Sequence, residues 1–130
     1  MTEHPNATLV RKGYEAFNTG DGAFFMANYA EDVVEHQPGH NLMSGDYKGR
    51  DAVLGFYGRL AAETGGTFRA ELERLLANDQ RVVSVHHTTA QRAGRTLDCR
   101  TSLLFEIRDG KVVDIDTLDE DVAAWEDFFC

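Results

Sequence analysis

The chain has 130 residues, a length that suits one domain with a core of its own. Its hydrophobic content of 42% and charged content of 27% are typical of globular proteins. Acidic residues outnumber basic ones by 22 to 13, which gives a net charge of −9. Phosphate groups and anionic membranes are bound by basic surfaces, so this balance argues against nucleic acid and membrane partners.

Cysteine content and the N-terminal residues bear on the compartment. Cys99 and Cys130 are too few for a disulfide framework in a short chain. The N-terminus has no basic region followed by an apolar run, and no apolar stretch approaches the ~18 residues of a membrane helix. We therefore expect reduced thiols and a cytoplasmic protein that forms a single domain over residues 1–130.

Helical spacing dominates the first half of the chain. Residues 6–18 place Val10, Tyr14 and Phe17 on one side of a helix, which Gly20 ends. Asp21 then begins a short second helix. A third helix is predicted over residues 51–63, after a strand at residues 31–37 and a loop at residues 40–49.

The second half has the alternation and short turns of an antiparallel meander. Strands are predicted at residues 67–77, 81–92, 96–108 and 111–118, followed by a short terminal helix or ordered tail. Asp109-Gly110 is the strongest hairpin signal, because a two-residue turn needs positive φ angles. Three helices cannot cover both faces of a flat sheet. We therefore predict an α+β fold in which a bent sheet has its concave face closed by the three helices.

Four segments resemble SnoaL-like (polyketide cyclase-like) and ketosteroid isomerase-like proteins of the nuclear transport factor 2-like superfamily. They are residues 14–21 (YEAFNTGD), 29–34 (YAEDVV), 47–53 (YKGRDAV) and 108–113 (RDGKVV). The resemblance implies a cone-shaped, curved, antiparallel or mixed sheet, described as a cystatin-like α+β barrel. It also implies a pocket of small-molecule size and often a homodimer formed through the sheet.

The resemblance does not carry over the isomerase residues. Gln37 stands where the family has its carboxylate base, and glutamine cannot take a proton. Leu103 stands where the family has its oxyanion acid. Gly13 aligns with the oxyanion tyrosine, and Tyr14 is one position away, about 100° around the helix. Ketosteroid isomerase activity is therefore not expected.

Strand alternation predicts which side chains face the pocket. In the last strand Val113, Ile115 and Thr117 share the apolar face, which leaves Asp114 and Asp116 outside. The opposite register would make Asp116 the best candidate acid or base. The full set of predicted pocket residues is Tyr14, Phe17, Gln37, Tyr47, Phe56, Cys99, Thr101, Leu103, Phe105, Ile115 and Thr117.

Histidines are the remaining candidates for acid–base chemistry. His36 ends the first strand, and one of the adjacent pair His86 and His87 must face inward. We favour His86, although the sequence fits either register. His36 and His86 are thus the candidate catalytic pair, and a purely structural role for both is the alternative. His36, Gln37 and His40 do not form a zinc ligand set, so neither a metal nor a cofactor is expected.

Two functions remain open on these grounds. One is a cofactor-independent isomerase, cyclase or hydrolase that acts by proton transfer on a small apolar or polyketide-like molecule. The other is a non-catalytic module for hydrophobic-ligand binding or dimerisation.

Overall fold

The computed structural model describes residues 2–130 and has four helices and six strands in that range. In chain order they are α1 (Pro5–Thr19), α2 (Gly22–Asn28), β1 (Tyr29–Gln37), β2 (Gly45–Lys48), α3 (Arg50–Glu63), β3 (Arg69–Ala77), β4 (Arg81–Arg92), β5 (Arg95–Arg108), β6 (Lys111–Asp119) and α4 (Val122–Phe128).

All six strands form one curved, unclosed sheet in the order β2-β1-β6-β5-β4-β3. Its pairs are antiparallel except β1 with β6, which run parallel and make the sheet mixed. Asp109 and Gly110 both have positive φ in the turn between β5 and β6, as the hairpin signal predicted. The predicted α+β class with a bent sheet is confirmed.

The helices lie on the concave face of the sheet. Helix α1 packs on β3 and β4, α3 packs on β1 and β2, and α2 joins α1 to α3. Helix α4 packs on β5, so a fourth helix joins the three that the sequence predicted to close this face. Asp21 and Asp121 cap α2 and α4 by accepting hydrogen bonds from the backbone N–H groups of Phe24 and Ala124.

Two local predictions are corrected. The segment predicted as loop contains β2, which pairs with β1 through Tyr47 and its neighbours. Val113 does not take the inward position, because a bulge pairs Ile107 with Val112 and Glu106 with Asp114 and leaves Val113 between them. Val112 is buried in its place, and alternation then resumes with Ile115 and Thr117 inside.

Within residues 2–130, no helix is both long enough and apolar enough to cross a bilayer.

Candidate functional site

A cavity lies between the helices and the concave face of the sheet. Its volume is about 80 Å³, which is room for several water molecules at about 10–15 Å³ each. Its wall is mostly apolar and aromatic, with Tyr14, Phe17 and Tyr57 from the helices and Leu103 and Phe105 from the sheet. None of the described residues in the wall is a lysine or arginine. A cavity with this lining favours a small, neutral, largely apolar ligand.

Glu35 brings a carboxyl group into this apolar wall. The alternation of β1 turns Val33, Glu35 and Gln37 inward, and Glu35 is 4% exposed. The Tyr57 hydroxyl donates a 2.7 Å hydrogen bond to Glu35 Oε1, and the Tyr29 hydroxyl lies 2.9 Å from that of Tyr57. Burial raises the pKa of the Glu35 carboxyl from 4.5 to about 7, and the Tyr57 hydrogen bond opposes the rise.

The second carboxylate oxygen of Glu35 is free. Among residues 2–130, four side-chain nitrogen or oxygen atoms are fully buried and lack a hydrogen-bond partner, and Glu35 Oε2 is not one of them. No group within residues 2–130 donates a hydrogen bond to Oε2, so this oxygen keeps accessible surface, and Glu35 lines the cavity. A carboxyl group with one oxygen fixed by Tyr57 and the other facing a ligand space has the geometry of a general base or acid.

A second polar cluster surrounds His86 on β4. The Tyr14 hydroxyl lies 2.6 Å from His86 Nδ1 and 2.7 Å from Ser84 Oγ, and all three side chains are buried. Burial lowers the pKa of His86 to about 4, so its imidazole is neutral at physiological pH. His86 is therefore not a cationic acid in the resting protein.

A third polar group lies where β1, β5 and β6 run side by side. Gln37 Nε2 donates to Asp119 Oδ2 at 3.1 Å, and the Thr101 hydroxyl donates to Asp119 Oδ1 at 3.2 Å. Burial raises the pKa of the Asp119 carboxyl to about 6, against the effect of these two hydrogen bonds. Gln37 and Thr101 line the cavity. Because both Asp119 oxygens are occupied, this carboxyl positions Gln37 and Thr101.

Most of the predicted pocket residues lie in the cavity wall. They are Tyr14, Phe17, Gln37, Phe56, Thr101, Leu103, Phe105 and Thr117, and the wall also contains the candidate His86. The one-position offset of Tyr14 from the isomerase tyrosine does not turn its hydroxyl away, since that hydroxyl contacts His86.

Five other candidates lie elsewhere. His36 points outward because Glu35 and Gln37 point in, and its ring bridges Asp46 (2.8 Å) and Asp114 (3.0 Å). Asp116 is exposed, as expected for the favoured register.

The remaining three belong to the packing around the cavity. Tyr47 stacks on Phe56 with ring centroids 4.4 Å apart, and its hydroxyl donates to the Met43 carbonyl. Ile115 is fully buried in the core. Cys99 is half-buried outside the wall, and burial raises the pKa of its thiol.

The sequence analysis missed Glu35, Tyr57, Tyr29 and Trp125 as wall residues. The alternation of Val33, Glu35 and Gln37 was the available signal for Glu35. No sequence spacing links Glu35 to Tyr57, which comes from α3.

No group of three or more histidine, cysteine, aspartate or glutamate residues within residues 2–130 is arranged to hold a metal ion.

Comparisons with known proteins identify a family and several relatives. The model of the SnoaL-like domain matches residues 10–115. An uncharacterized protein of Mycobacterium tuberculosis is 35% identical over 130 residues, covering 99% of both chains. The solved structure of Bal32a, from a soil-derived mobile gene cassette, is 40% identical, with a TM-score of 0.94 and 97% of each chain covered.

IdmH from Streptomyces antibioticus, a candidate polyketide cyclase, shares the fold at 20% identity. Its TM-score is 0.76, with 95% of this chain and 96% of IdmH covered. The chain belongs to the SnoaL-like family. It shares the fold of an NTF2-like protein from Burkholderia pseudomallei at 21% identity, with a TM-score of 0.86 and 98% of each chain covered.

Proposed function

We propose that this protein is a cofactor-independent enzyme that moves a proton on a small, neutral carbonyl compound, with Glu35 as the general base. The observation that carries the proposal is the Glu35 carboxyl, which faces an apolar cavity with one free oxygen and a pKa of about 7. A base with this pKa is about half ionised at neutral pH, which suits proton transfer in both directions.

The cost of burying Glu35 favours catalysis over simple binding. Glutamine at this position would accept a hydrogen bond from Tyr57 and contact a ligand without the penalty of a buried charge. Ionisable groups with strongly shifted pKa values in clefts are typical of active sites. A carboxyl in this wall therefore supports a reaction in which the proton is gained and released.

The reaction step can be written with its atoms balanced. Glu35 Oε2 takes a proton from a carbon next to a ligand carbonyl, so a C–H bond breaks and an O–H bond forms. The electron pair of the C–H bond becomes the C=C bond of an enolate, and the negative charge moves to the carbonyl oxygen. Return of the proton, to the same or another carbon, regenerates the carboxylate and completes exchange or isomerisation.

Hydrogen–deuterium exchange tests this proposal without knowledge of the natural substrate. The probe is 2-tetralone in D₂O, with exchange at the carbon between its ring and carbonyl followed by NMR. We expect wild-type protein to accelerate exchange about 10²–10⁴-fold over Glu35→Gln, with a rate that rises as pH passes through about 7. Glu31→Gln, an exposed carboxylate on the same strand, is the matched control and exchanges like wild type.

Equal exchange by wild type and Glu35→Gln would remove Glu35 as the base. Binding of the probe without any acceleration would favour the second candidate function, a non-catalytic module for hydrophobic ligands. The largely apolar wall, which includes Leu9, Phe24 and Phe68, is the observation that favours that alternative.

An apolar patch on the outer face of the sheet supports a homodimer. Leu76, Val83 and Leu104 lie side by side across β3, β4 and β5, with Leu118 on β6 near them. Leu76 is 65% exposed and Leu118 is 58% exposed. A contiguous exposed apolar patch marks an interaction surface, and a second copy of the chain would present the same patch.

A further inference from the structure

The hydrogen atoms of the Ser84–Tyr14–His86 cluster can be assigned by counting donors and acceptors. Tyr14 Oη has two neighbours, Ser84 Oγ at 2.7 Å and His86 Nδ1 at 2.6 Å. Ser84 is fully buried, and Tyr14 is its one side-chain partner among residues 2–130. Each hydroxyl has one proton to donate, and a buried proton without an acceptor costs about 1–3 kcal/mol.

One arrangement gives both hydroxyl protons of the cluster an acceptor. Ser84 donates to Tyr14, and Tyr14 donates to His86 Nδ1. In the reverse arrangement His86 donates to Tyr14 and Tyr14 donates to Ser84, which leaves the Ser84 proton without an acceptor. The first arrangement makes Nδ1 an acceptor. Because burial keeps the His86 imidazole neutral, its single ring proton is then on Nε2.

The Nε2 atom is free to meet a ligand. No protein group within residues 2–130 is hydrogen-bonded to Nε2, and Nε2 is not one of the fully buried atoms that lack a partner. His86 lines the cavity, so its remaining open surface belongs to the ligand space. The result is a neutral N–H donor, oriented from behind by Tyr14 and Ser84, in the same cavity as the free oxygen of Glu35.

We propose that His86 donates a hydrogen bond from Nε2 to the carbonyl oxygen of the substrate and stabilises the negative charge that Glu35 creates there. This inference rests on the proposed function and adds an electrophilic partner to its base. Tyr14 and Ser84 are positioning residues, because they fix the tautomer of His86 and act on the substrate only through it. The neutral imidazole donates a hydrogen bond but does not transfer its Nε2 proton to the enolate oxygen. The product is therefore released as a ketone and not as an enol.

The pair of groups also narrows the substrate class. The substrate needs an acceptor oxygen for His86 and an acidic C–H bond for Glu35. The two residues lie on β4 and β1, with β5 and β6 between them, and strands are about 4.8 Å apart. Burial is the main cause that raises the pKa of the Tyr14 hydroxyl, and the charge of Glu35 adds to the rise, which places Glu35 near the hydroxyl that holds His86. A neutral ring ketone with an acidic C–H bond beside its carbonyl fits this apolar cavity better than a charged compound.

The tautomer of His86 is tested first, because this measurement does not depend on turnover. Long-range ¹H–¹⁵N correlation spectra of the intact protein distinguish a protonated ring nitrogen from a bare one, and His86→Gln identifies the signal. We expect a proton on Nε2 and none on Nδ1 from about pH 5 to 8, since the pKa lies near 4. Tyr14→Phe should lose this preference. A proton on Nδ1, or an imidazolium in this range, would overturn the inference.

Exchange of 2-tetralone tests the chemical role. His86→Leu should lower kcat by about 10²–10³-fold with a smaller change in KM, and His86→Gln should recover part of the loss through its amide N–H. A His86→Leu rate within about twofold of wild type, while Glu35→Gln abolishes exchange, would refute the role of His86 and leave the proposed function standing.

A binding measurement distinguishes failure of the proposed function from failure of the inference about His86. In the Glu35→Gln background, the carbonyl stretch of bound ¹³C-labelled 2-tetralone should lie at lower frequency with His86 present than with His86→Leu. This shift can appear even if wild type shows no exchange, in which case the proposed function fails and the hydrogen bond stands. The lack of a difference, or of any binding, overturns the inference.

Discussion

Tyr57 on α3 and Glu35 on β1 are joined by a 2.7 Å hydrogen bond inside an apolar cavity, although 22 positions separate them in the chain. The contact fixes one carboxylate oxygen and leaves the other for a ligand. It also opposes the effect of burial on the pKa of Glu35. Stability and chemistry at this site are therefore coupled through one titrating group.

Replacement of Glu35 by glutamine should stabilise the protein in a pH-dependent way. The pKa is 4.5 in an ordinary setting and about 7 in the folded protein, so between these values the folded state binds the extra proton. The free-energy penalty of burying the ionised Glu35 carboxylate is absent below pH 4.5, grows as the pH rises to about 7, and is constant above that pH. A shift of this size corresponds to up to about 3 kcal/mol.

Urea unfolding of wild type and Glu35→Gln provides the measurement. We expect the difference in free energy of unfolding to be near zero at about pH 4.5 and largest at about pH 8. Glu31→Gln serves as the exposed control and should show no such trend. An equal difference at both pH values would mean that Glu35 is not buried as a titrating group.

Replacement of Tyr57 by phenylalanine should raise the pKa of Glu35 further. The hydroxyl favours the ionised carboxylate, and hydrogen bonds to charged groups contribute about 1.5–3 kcal/mol. We expect an upward shift of about one to two pH units, read from the ¹³C resonance of the Glu35 carboxyl during a pH titration. An unchanged titration midpoint would show that Tyr57 does not support the charge.

The sequence predicted the parts of the fold that depend on periodicity. The long strands and α3 have regular apolar spacing, and the Asp109-Gly110 turn has the backbone conformation that its residues favour. Strand β2 was missed because its four residues bury little and carry no alternation. The position of Val113 was wrong because a bulge changes the register without a change in composition.

The site was harder to predict because its chemistry depends on contacts between distant elements. His86 could be placed inward from its parity with Ser84 and Thr88, and all three are buried. Glu35 resembled a surface charge, since the pattern alone does not show that Tyr57 approaches it. His36 had the right residue type, but the alternation that buries Glu35 and Gln37 turns it outward.

The outward His36 should contribute stability with its own pH dependence. The hydrogen bond to Asp46 raises its pKa above 6.5, with a further contribution from Asp114 against the effect of burial. Protonated His36 therefore stabilises the fold fully below pH 6.5, and this stabilisation is lost as the pH rises through the pKa of His36 in the folded protein.

The magnitude should be small, because the His36 side chain is 37% exposed and such pairs contribute about 0–1 kcal/mol. His36→Asn should destabilise the protein by less than about 1 kcal/mol near pH 5.5 and have no effect near pH 9. Denaturant titrations at the two pH values measure this. A larger effect at the higher pH would contradict the ion-pair assignment.

The outer face of the sheet yields the last prediction. Leu118→Glu introduces a charge into the patch formed by Leu76, Val83, Leu104 and Leu118, where a dimer would bury it. Sedimentation velocity should show a dimer for wild type and a monomer for Leu118→Glu. Met26→Glu, at a 45% exposed apolar residue on α2 that is not part of this patch, is the control and should remain dimeric. A wild-type monomer at high concentration, or a dimer that tolerates Leu118→Glu, would place the interface elsewhere or remove it.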